Sequence, residues 1–319
     1  MNKLKELISL EQRTKYFIWA LLILSVASVG VFALLINNKT ADLVRNDQKS
    51  LTVDPFVSVE IEGKSAMVWD VVKGEPLFEK NPDTSLPLAS LTKVMTALTA
   101  SKSLKNGEKI TIDSNFLLPE GDSGLTTGDT WTQKDLLDYT LVTSSNDGAY
   151  ALASVAEAAN TVRNGYQETS FENNFIQQMN EEAKVIGLDN SRFWNAHGLD
   201  RNVDRGGAYG SARDMAKLFE YILKNNPDLL EATRYKNISL NSTEHSYNAP
   251  NTNQSVDKIP GIIASKTGYT DLAGGNLVIA FDAGLGRPII ISVLGSTQEG
   301  RFSDALKLVT AAMQKIQNY

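Results

Sequence analysis

Hydrophobic and polar positions follow several different periods along the chain, and each period predicts an element. Tyr16 to Ile36 (YFIWALLILSVASVGVFALLI) is an uncharged apolar run of about 21 residues, the length of a helix that spans a bilayer. Asn37 to Pro55 is polar, mixed in charge and aperiodic, which predicts a linker over residues 37–56 and a folded domain over residues 57–319. Within that domain Val57 to Glu62 alternates, and Ser65 to Asp70 followed by Pro76 to Glu79 around Lys73 and Gly74 predicts strands joined by a hairpin turn. From Ser90 onward Leu91, Val94, Met95 and Leu98 fall at i, i+3, i+4 and i+7, the spacing of a helix with one buried face.

The middle of the chain is mostly helical in pattern. Thr132 with Asp135 forms a capping box ahead of Leu136, Leu137 and Leu141; Phe171, Phe175 and Met179 recur every fourth residue; Ser211 with Asp214 caps Met215, Leu218 and Ile222. Strands return at Gly261 to Lys266, Asn276 to Asp282 and Pro288 to Leu294, the last two joined by Gly284-Leu285-Gly286, and a helix carrying Leu306, Val309, Met313 and Ile316 follows. Sheet, helices, sheet and helix in this order predict an α+β domain: an antiparallel sheet flanked by helices, its first and last segments in one layer, with a helical subdomain inserted over about residues 106–225.

With 319 residues, 42% of them hydrophobic, the chain can bury one substantial core. A net charge of −6 and no cluster of Lys and Arg argue against nucleic acid as a partner. The absence of Cys excludes disulfides, Cys-ligated zinc and a thiol nucleophile, and two histidines, His197 and His245, leave little for a His-based metal site. The expectation is therefore no metal and no cofactor.

Lys3, Lys5, Arg13 and Lys15 precede the apolar run, and no small-residue cleavage site follows Phe32, where Ala33 is succeeded by two leucines. An uncleaved transmembrane anchor over residues 16–36, after a short segment over 1–15, is the expectation. Lys39, Arg45 and Lys49 nearly balance the preceding positive charges, so charge alone leaves the orientation open.

Three short motifs carry chemistry. Ser90-x-x-Lys93 lies at the predicted helix start, where a three-residue separation puts both side chains on one face and the helix N-terminus adds a positive field. A lysine can take the proton of a serine nucleophile if desolvation or a neighbouring cation lowers its pKa toward neutrality. The pattern is degenerate: Ser255 and Lys258 repeat it in a predicted loop, and a capping serine beside a surface lysine is the plainer reading. Ser144-x-Asn146 joins two predicted helices, where a turn could present a hydroxyl and an amide to a cleft or simply cap the helix beginning near Asp147; the same letters recur at Ser239 and Ser246. Lys266-Thr267-Gly268 occurs once, at the end of a predicted strand. Its lysine can depress the pKa of Lys93 and attract a carboxylate, its threonine can hydrogen-bond that carboxylate, and its glycine admits close backbone approach.

Ser-x-x-Lys, Ser-x-Asn and Lys-Thr-Gly in this order form a signature of penicillin-binding proteins and serine β-lactamases. Over about residues 57–315 the chain resembles the D-alanyl-D-alanine carboxypeptidases of the low-molecular-mass penicillin-binding protein family. The stretches AMVWDVVKGEPLFEKN, LPLASLTKVMTAL, TTGDTWTQKDLLDYTLVTSSNDGAYALA, NAHGLD, SARDMAKL and SKTGYTDLAGGNLV carry the likeness. The resemblance implies the penicillin-binding-protein/β-lactamase-like transpeptidase fold. It also implies a nucleophile at Ser90, its proton acceptor at Lys93, and a proton relay at Ser144. Asn146 would contact the substrate peptide, Lys266 and Thr267 would hold its terminal carboxylate beside Gly268, and Arg301 would lie near that carboxylate. The backbone N–H groups of Ser90 and Tyr269 would form the oxyanion hole. The implied partners are peptidoglycan stem peptides ending in D-Ala-D-Ala, with β-lactams as covalent inhibitors, which puts the catalytic domain outside the cytoplasmic membrane and the N-terminus inside.

His197 suggests a Ser-His-Asp triad, but no Gly-x-Ser-x-Gly elbow surrounds Ser90 and NAHGLD reads as a structural turn. Three other functions are weighed against the carboxypeptidase. A D,D-endopeptidase would use the same residues on crosslinks. A β-lactamase would want a Glu-x-x-x-Asn loop well before Lys266, and Glu244 to Asn248 lies too close to it. A non-catalytic peptidoglycan-binding protein would not need Ser90, Lys93 and Lys266 together. The sequence departs from many relatives in having its one visible anchor at the N-terminus.

Overall fold

The computed structural model describes residues 53–317, apart from 106, 118, 122, 123, 165–170 and 285, together with isolated positions 15, 19, 24, 28 and 30–32 of the N-terminal segment. The chain divides into two compact units, Met1–Asp54 and Pro55–Tyr319. Most of the expected span over 16–36 and of the expected linker over 37–56 falls outside the described residues; among the described residues no helix is long and apolar enough to cross a membrane.

The second unit is built on a five-stranded antiparallel sheet. Its first two strands are β1 (Ser65–Asp70) and β2 (Glu75–Lys80), joined by the expected turn. Next comes the two-residue β3 (Leu86–Pro87), and a 3-10 turn over Ala89–Leu91 leads into α1 (Thr92–Ser103). The helical middle holds β4 (Lys109–Thr111), β5 (Thr130–Thr132), α2 (Gln133–Thr143), α3 (Asn146–Asn164) and α4 (Phe171–Ile186). After β6 (Arg192–Phe193) and β7 (Ala208–Gly210) comes α5 (Ala212–Asn225), then the hairpin β8 (Asn237–Asn241) and β9 (Ser246–Pro250). Three long strands, β10 (Ile262–Thr270), β11 (Gly274–Asp282) and β12 (Pro288–Ser296), precede α6 (Gly300–Gln317). The sheet order β10-β11-β12-β1-β2 places the earliest strand beside the latest, with Ser65 opposite Leu294 and Asp70 opposite Ile289.

The period of two along these strands sorts their side chains into two cores. Ala66, Val68, Leu277, Ile279, Ile289, Ile291 and Val293 face one way and pack with Phe302, Ala305, Leu308 and Val309 of α6. Met67, Val278, Ala280, Ile290 and Leu294 face the other way, into a larger core with Met215, Leu218 and Phe219 of α5 and with α1. A sheet covered on both faces needs strands that are apolar on both faces, and β1 and β12 are buried nearly throughout.

Both expected N-caps form. Thr132 Oγ1 accepts from Asp135 N (3.1 Å) and donates to Asp135 Oδ2 (2.7 Å) at the start of α2, and Ser211 Oγ accepts from Asp214 N (3.1 Å) at the start of α5. Four local expectations need correction. Helix α1 is buried at every position except Ser101 and Lys102, not on one face, because it runs between the sheet layer and the helical middle. Val57 to Glu62 forms no strand: both neighbours of β1 are already taken by β2 and β12, so the segment runs alongside α6 and is held by Lys307 Nζ at Glu60 O and by Asp304. The strand expected to end at Lys266 continues to Thr270, because β11 pairs with it as far as Thr270 opposite Gly274, so Lys266-Thr267-Gly268 lies inside β10. Residues Val256–Lys258 make a 3-10 turn, not a loop.

Asp304 is fully buried and accepts from Glu62 N (3.1 Å), Gly63 N (2.9 Å) and Ser296 Oγ (2.7 Å), which fastens the segment ahead of β1 to α6 and β12. Asp304→Ala leaves these donors buried without an acceptor and lowers the unfolding free energy by about 3 kcal/mol. Equilibrium chemical denaturation measures it, and a loss below 1 kcal/mol would contradict this account.

Candidate active site

Ser90 stands in a strained turn between β3 and α1. Ala89 just before it adopts a left-handed φ of 48°, a conformation that persists only when its surroundings impose it. They do so from three sides. Thr92 Oγ1 donates to Ala89 O (2.7 Å), the buried Asn276 Nδ2 donates to Pro87 O (2.9 Å) and Leu88 O (3.1 Å), and Leu88 N pairs with Ala208 O (3.0 Å). Gly198, from NAHGLD, presses on the same turn: a Cβ there would lie 2.0 Å from Ala89 O. Ser90 makes no cap hydrogen bond to the helix backbone. Its hydroxyl is partly exposed and receives Lys93 Nζ at 2.9 Å.

Lys93 is fully buried, and its Nζ meets three uncharged acceptors: Ser90 Oγ, Asn146 Oδ1 (2.7 Å) and the backbone O of His197 (2.6 Å). Burial, with the charge of Lys266 adding to it, pushes this amine well below the ordinary lysine range. A neutral amine carries two protons and one lone pair. In that form, protons directed to the two carbonyl oxygens would leave the lone pair for the serine hydroxyl.

Ser144 ends α2 in the left-handed region (φ 62°), so the chain reverses there and exposes a hydroxyl between α2 and α3. The capping duty falls on its neighbour: Ser145 Oγ accepts from Gly148 N at 2.8 Å, which leaves Ser144 and Asn146 free to face the cleft. Asn146 Nδ2 donates to Glu120 O (2.6 Å), and this bond fixes the amide so that Oδ1 points at Lys93.

Lys266 is buried in β10 and donates from Nζ to Ser144 Oγ (2.8 Å) and Thr267 O (2.9 Å). Burial, with Arg301 repelling it, brings its pKa down to about 7. Arg301 reaches β10 from the first turn of α6, with Nη1 donating to Gly268 O at 2.8 Å. Gly268 lies against the Ser90 turn: a Cβ would sit 2.8 Å from Leu88 O and 3.2 Å from Ser90 N, so a side chain would force the strand off the turn. Tyr269, next along, is exposed.

Seven of the nine residues singled out in the sequence are thus linked through named contacts: Ser90 to Lys93 to Asn146, Ser144 to Lys266 to Thr267, and Gly268 against the Ser90 turn, with Tyr269 next to it in β10. Arg301 joins through Gly268. The ring of His197 is not part of the array, since its Nδ1 accepts from Leu199 N (3.1 Å) and burial lowers its pKa to about 4; only its backbone oxygen serves Lys93. Glu244 sits in the turn between β8 and β9, and among the described residues no group of three or more His, Asp or Glu could hold a metal ion. Sequence reasoning passed over Ser145, Asn276, Glu120 and Thr252. Asn276 falls inside the quoted GGNLV stretch, but its role depends on β11 lying behind the Ser90 turn, which no local pattern reveals.

Lys266→Met removes the charge that repels protonation of Lys93, so Lys93 titrates at a higher pH in the variant than in the parent. Carbon-13 NMR of labelled lysines follows the resonance directly, and an unmoved Lys93 would refute the coupling.

The profile of the D-alanyl-D-alanine carboxypeptidase family, peptidase family S11, matches residues 49–298. The chain is 28% identical over 265 residues to the D-alanyl-D-alanine carboxypeptidase DacF of Bacillus subtilis, covering 81% of this chain and 64% of that protein, so it spans just under two thirds of that relative's length. It is 30% identical over 260 residues to a D-alanyl-D-alanine endopeptidase of Escherichia coli, covering 79% of this chain and 77% of that protein. Its fold matches penicillin-binding protein D2 of Listeria monocytogenes in the ampicillin-bound form, with a TM-score of 0.67, 27% identity, and coverage of 80% of this chain and 98% of that one. With the family profile spanning most of the sequence and the two buried lysines placed against two serines, the chain belongs to the D-alanyl-D-alanine carboxypeptidase family.

Proposed function

We propose that the protein is a serine-type D-Ala-D-Ala carboxypeptidase that removes the terminal D-alanine from peptidoglycan stem pentapeptides through an acyl-enzyme on Ser90. The observation that carries this reading is the buried Lys93 amine, which contacts Ser90 Oγ at 2.9 Å and is otherwise surrounded by the neutral acceptors Asn146 Oδ1 and His197 O.

The reaction follows from this arrangement. Ser90 Oγ attacks the penultimate D-Ala carbonyl carbon as its proton passes to Lys93 Nζ. The negative charge on the carbonyl oxygen is met by the backbone N–H groups of Ser90 and Tyr269, each such donor worth about 3 kcal/mol. Ser144 passes the proton held by Lys93 to the leaving nitrogen, the C–N bond breaks, D-alanine departs and Lys93 is neutral again. Water then attacks the ester, giving its proton to Lys93, which returns it to Ser90 Oγ as the ester bond breaks.

Lys266 and Thr267 hold the terminal carboxylate, and Gly268 lets strand β10 come close to the substrate. Arg301 fixes the Gly268 carbonyl and adds positive charge. A substrate carboxylate beside Lys266 stabilises its ammonium form, so binding raises its pKa above the value near 7 of the free site. A β-lactam presents the same carbonyl and carboxylate, and the likeness to an ampicillin-bound protein supports its acylating Ser90.

The proposed setting is the outer face of the cytoplasmic membrane, where peptidoglycan lies. Residues 16–36 would anchor the chain, 1–15 would stay inside, and 37–56 would link the anchor to the catalytic domain over 57–319. The apolar run supports the anchor, and the location of the proposed substrate supports the orientation. The likeness to a D-alanyl-D-alanine endopeptidase favours one second reading, cleavage of crosslinks by the same residues.

The full-length protein, incubated with an uncrosslinked pentapeptide muropeptide and separately with a crosslinked dimer, decides between these readings. Release of D-alanine from the pentapeptide is expected, with Ser90→Ala losing at least a thousandfold in rate. Dimer cleavage alone would favour the endopeptidase, and turnover of neither would leave a peptidoglycan-binding protein.

A further inference from the structure

The hydroxyl of Thr267 has a dedicated partner, Thr252, with 2.6 Å between the two Oγ1 atoms. Thr252 lies just beyond β9, and its backbone N–H donates to Val142 O at 3.1 Å. Val142 stands in the last turn of α2, two residues ahead of Ser144. One threonine therefore joins the element that ends at Ser144 to the strand that carries Thr267.

A threonine hydroxyl has one proton to give and two lone pairs. Among the described residues two oxygens lie in reach of the Thr252 proton: Thr267 Oγ1 at 2.6 Å, and Val142 O at 3.5 Å, which already accepts the Thr252 N–H. A contact of 3.5 Å is at the limit for a hydrogen bond, so the strong bond is the one to Thr267. Were Thr267 the donor in that bond, it would show an incoming carboxylate only lone pairs, and the two would repel. With Thr252 as donor, Thr267 keeps its proton for the carboxylate, and a hydroxyl that accepts one hydrogen bond donates a stronger one.

Building on the peptidase reading above, we propose that Thr252 is a positioning residue for recognition of the substrate's terminal carboxylate, donating to Thr267 so that Thr267 meets the carboxylate as a donor. The role is distinct from those of Lys266 and Arg301, which supply charge; Thr252 supplies direction.

The test compares acylation of the full-length protein by a penicillin with a free carboxylate and by the methyl ester of the same penicillin. Thr252→Val, which keeps the shape and removes the hydroxyl, lowers the second-order rate with the free acid about tenfold and leaves the ester rate unchanged, while Thr252→Ser keeps the parent's ratio. Thr252→Ala repeats the measurement should the valine variant not fold. An equal loss on acid and ester, or no loss on either, overturns the inference, because a merely structural role would move both rates together. Failure of the parent protein to be acylated at Ser90 by either compound would instead overturn the peptidase reading and this inference with it.

Discussion

A lysine buried with no opposite charge at its amine is the constraint on which the cleft depends. Holding an ammonium ion at the Lys93 position would cost several kcal/mol in lost hydration, and its three neighbouring acceptors are all neutral. The cost falls on the charged form, so the Lys93 pKa lies well below the ordinary lysine range. Two further cations reinforce that outcome in series: Arg301 repels a proton from Lys266, and Lys266 repels one from Lys93. Burial first, and this row of like charges running inward from α6 second, therefore keep both lysine pKa values low.

Such a row is useful only if the serine is held still beside it. The left-handed Ala89 is a conformation that a free chain would abandon, and the structure holds it with Thr92, Asn276 and the backbone of β7, while Gly198 and Gly268 let neighbouring backbone close to within contact distance. Strain at the nucleophile and order in the sheet are thus two aspects of one arrangement. Asn276 binds the turn from β11 and receives Gly295 N at 2.8 Å from β12, so the sheet itself is the clamp.

Local patterns in the sequence foretold many of the elements and their order: the β1–β2 hairpin, the late strands, the two helix N-caps and the helix that begins after Ser90 all appear. The three motifs also come together in space, Ser90 with Lys93 and Ser144 with Lys266. What local pattern could not show was decided by tertiary competition. Val57 to Glu62 has the alternation of a strand and finds no free edge. Ser144 and Asn146 have the letters of a helix cap, and Ser145, between them, does the capping. Thr252 and Asn276 act only across elements separated by more than a dozen residues in sequence, where no periodicity speaks. The side chains of these residues are ordinary, and only their positions in the fold distinguish them.

The pairing of β1 with β12 bears also on how the chain reaches this state. Ser65 and Leu294 are neighbours in the sheet, yet nearly the whole domain is synthesised between them. Until β12 emerges, β1 and β2 form at best an isolated hairpin with an unsatisfied hydrogen-bonding edge and apolar side chains on both faces, a species that is marginal in water and prone to pair wrongly. Loop closure over that distance comes before the sheet can form, which makes folding slow for a domain of this size. Ser90 and Lys93 are neighbours by local helix geometry, but the Asn276 contacts that hold the turn beneath them depend on this long-range closure.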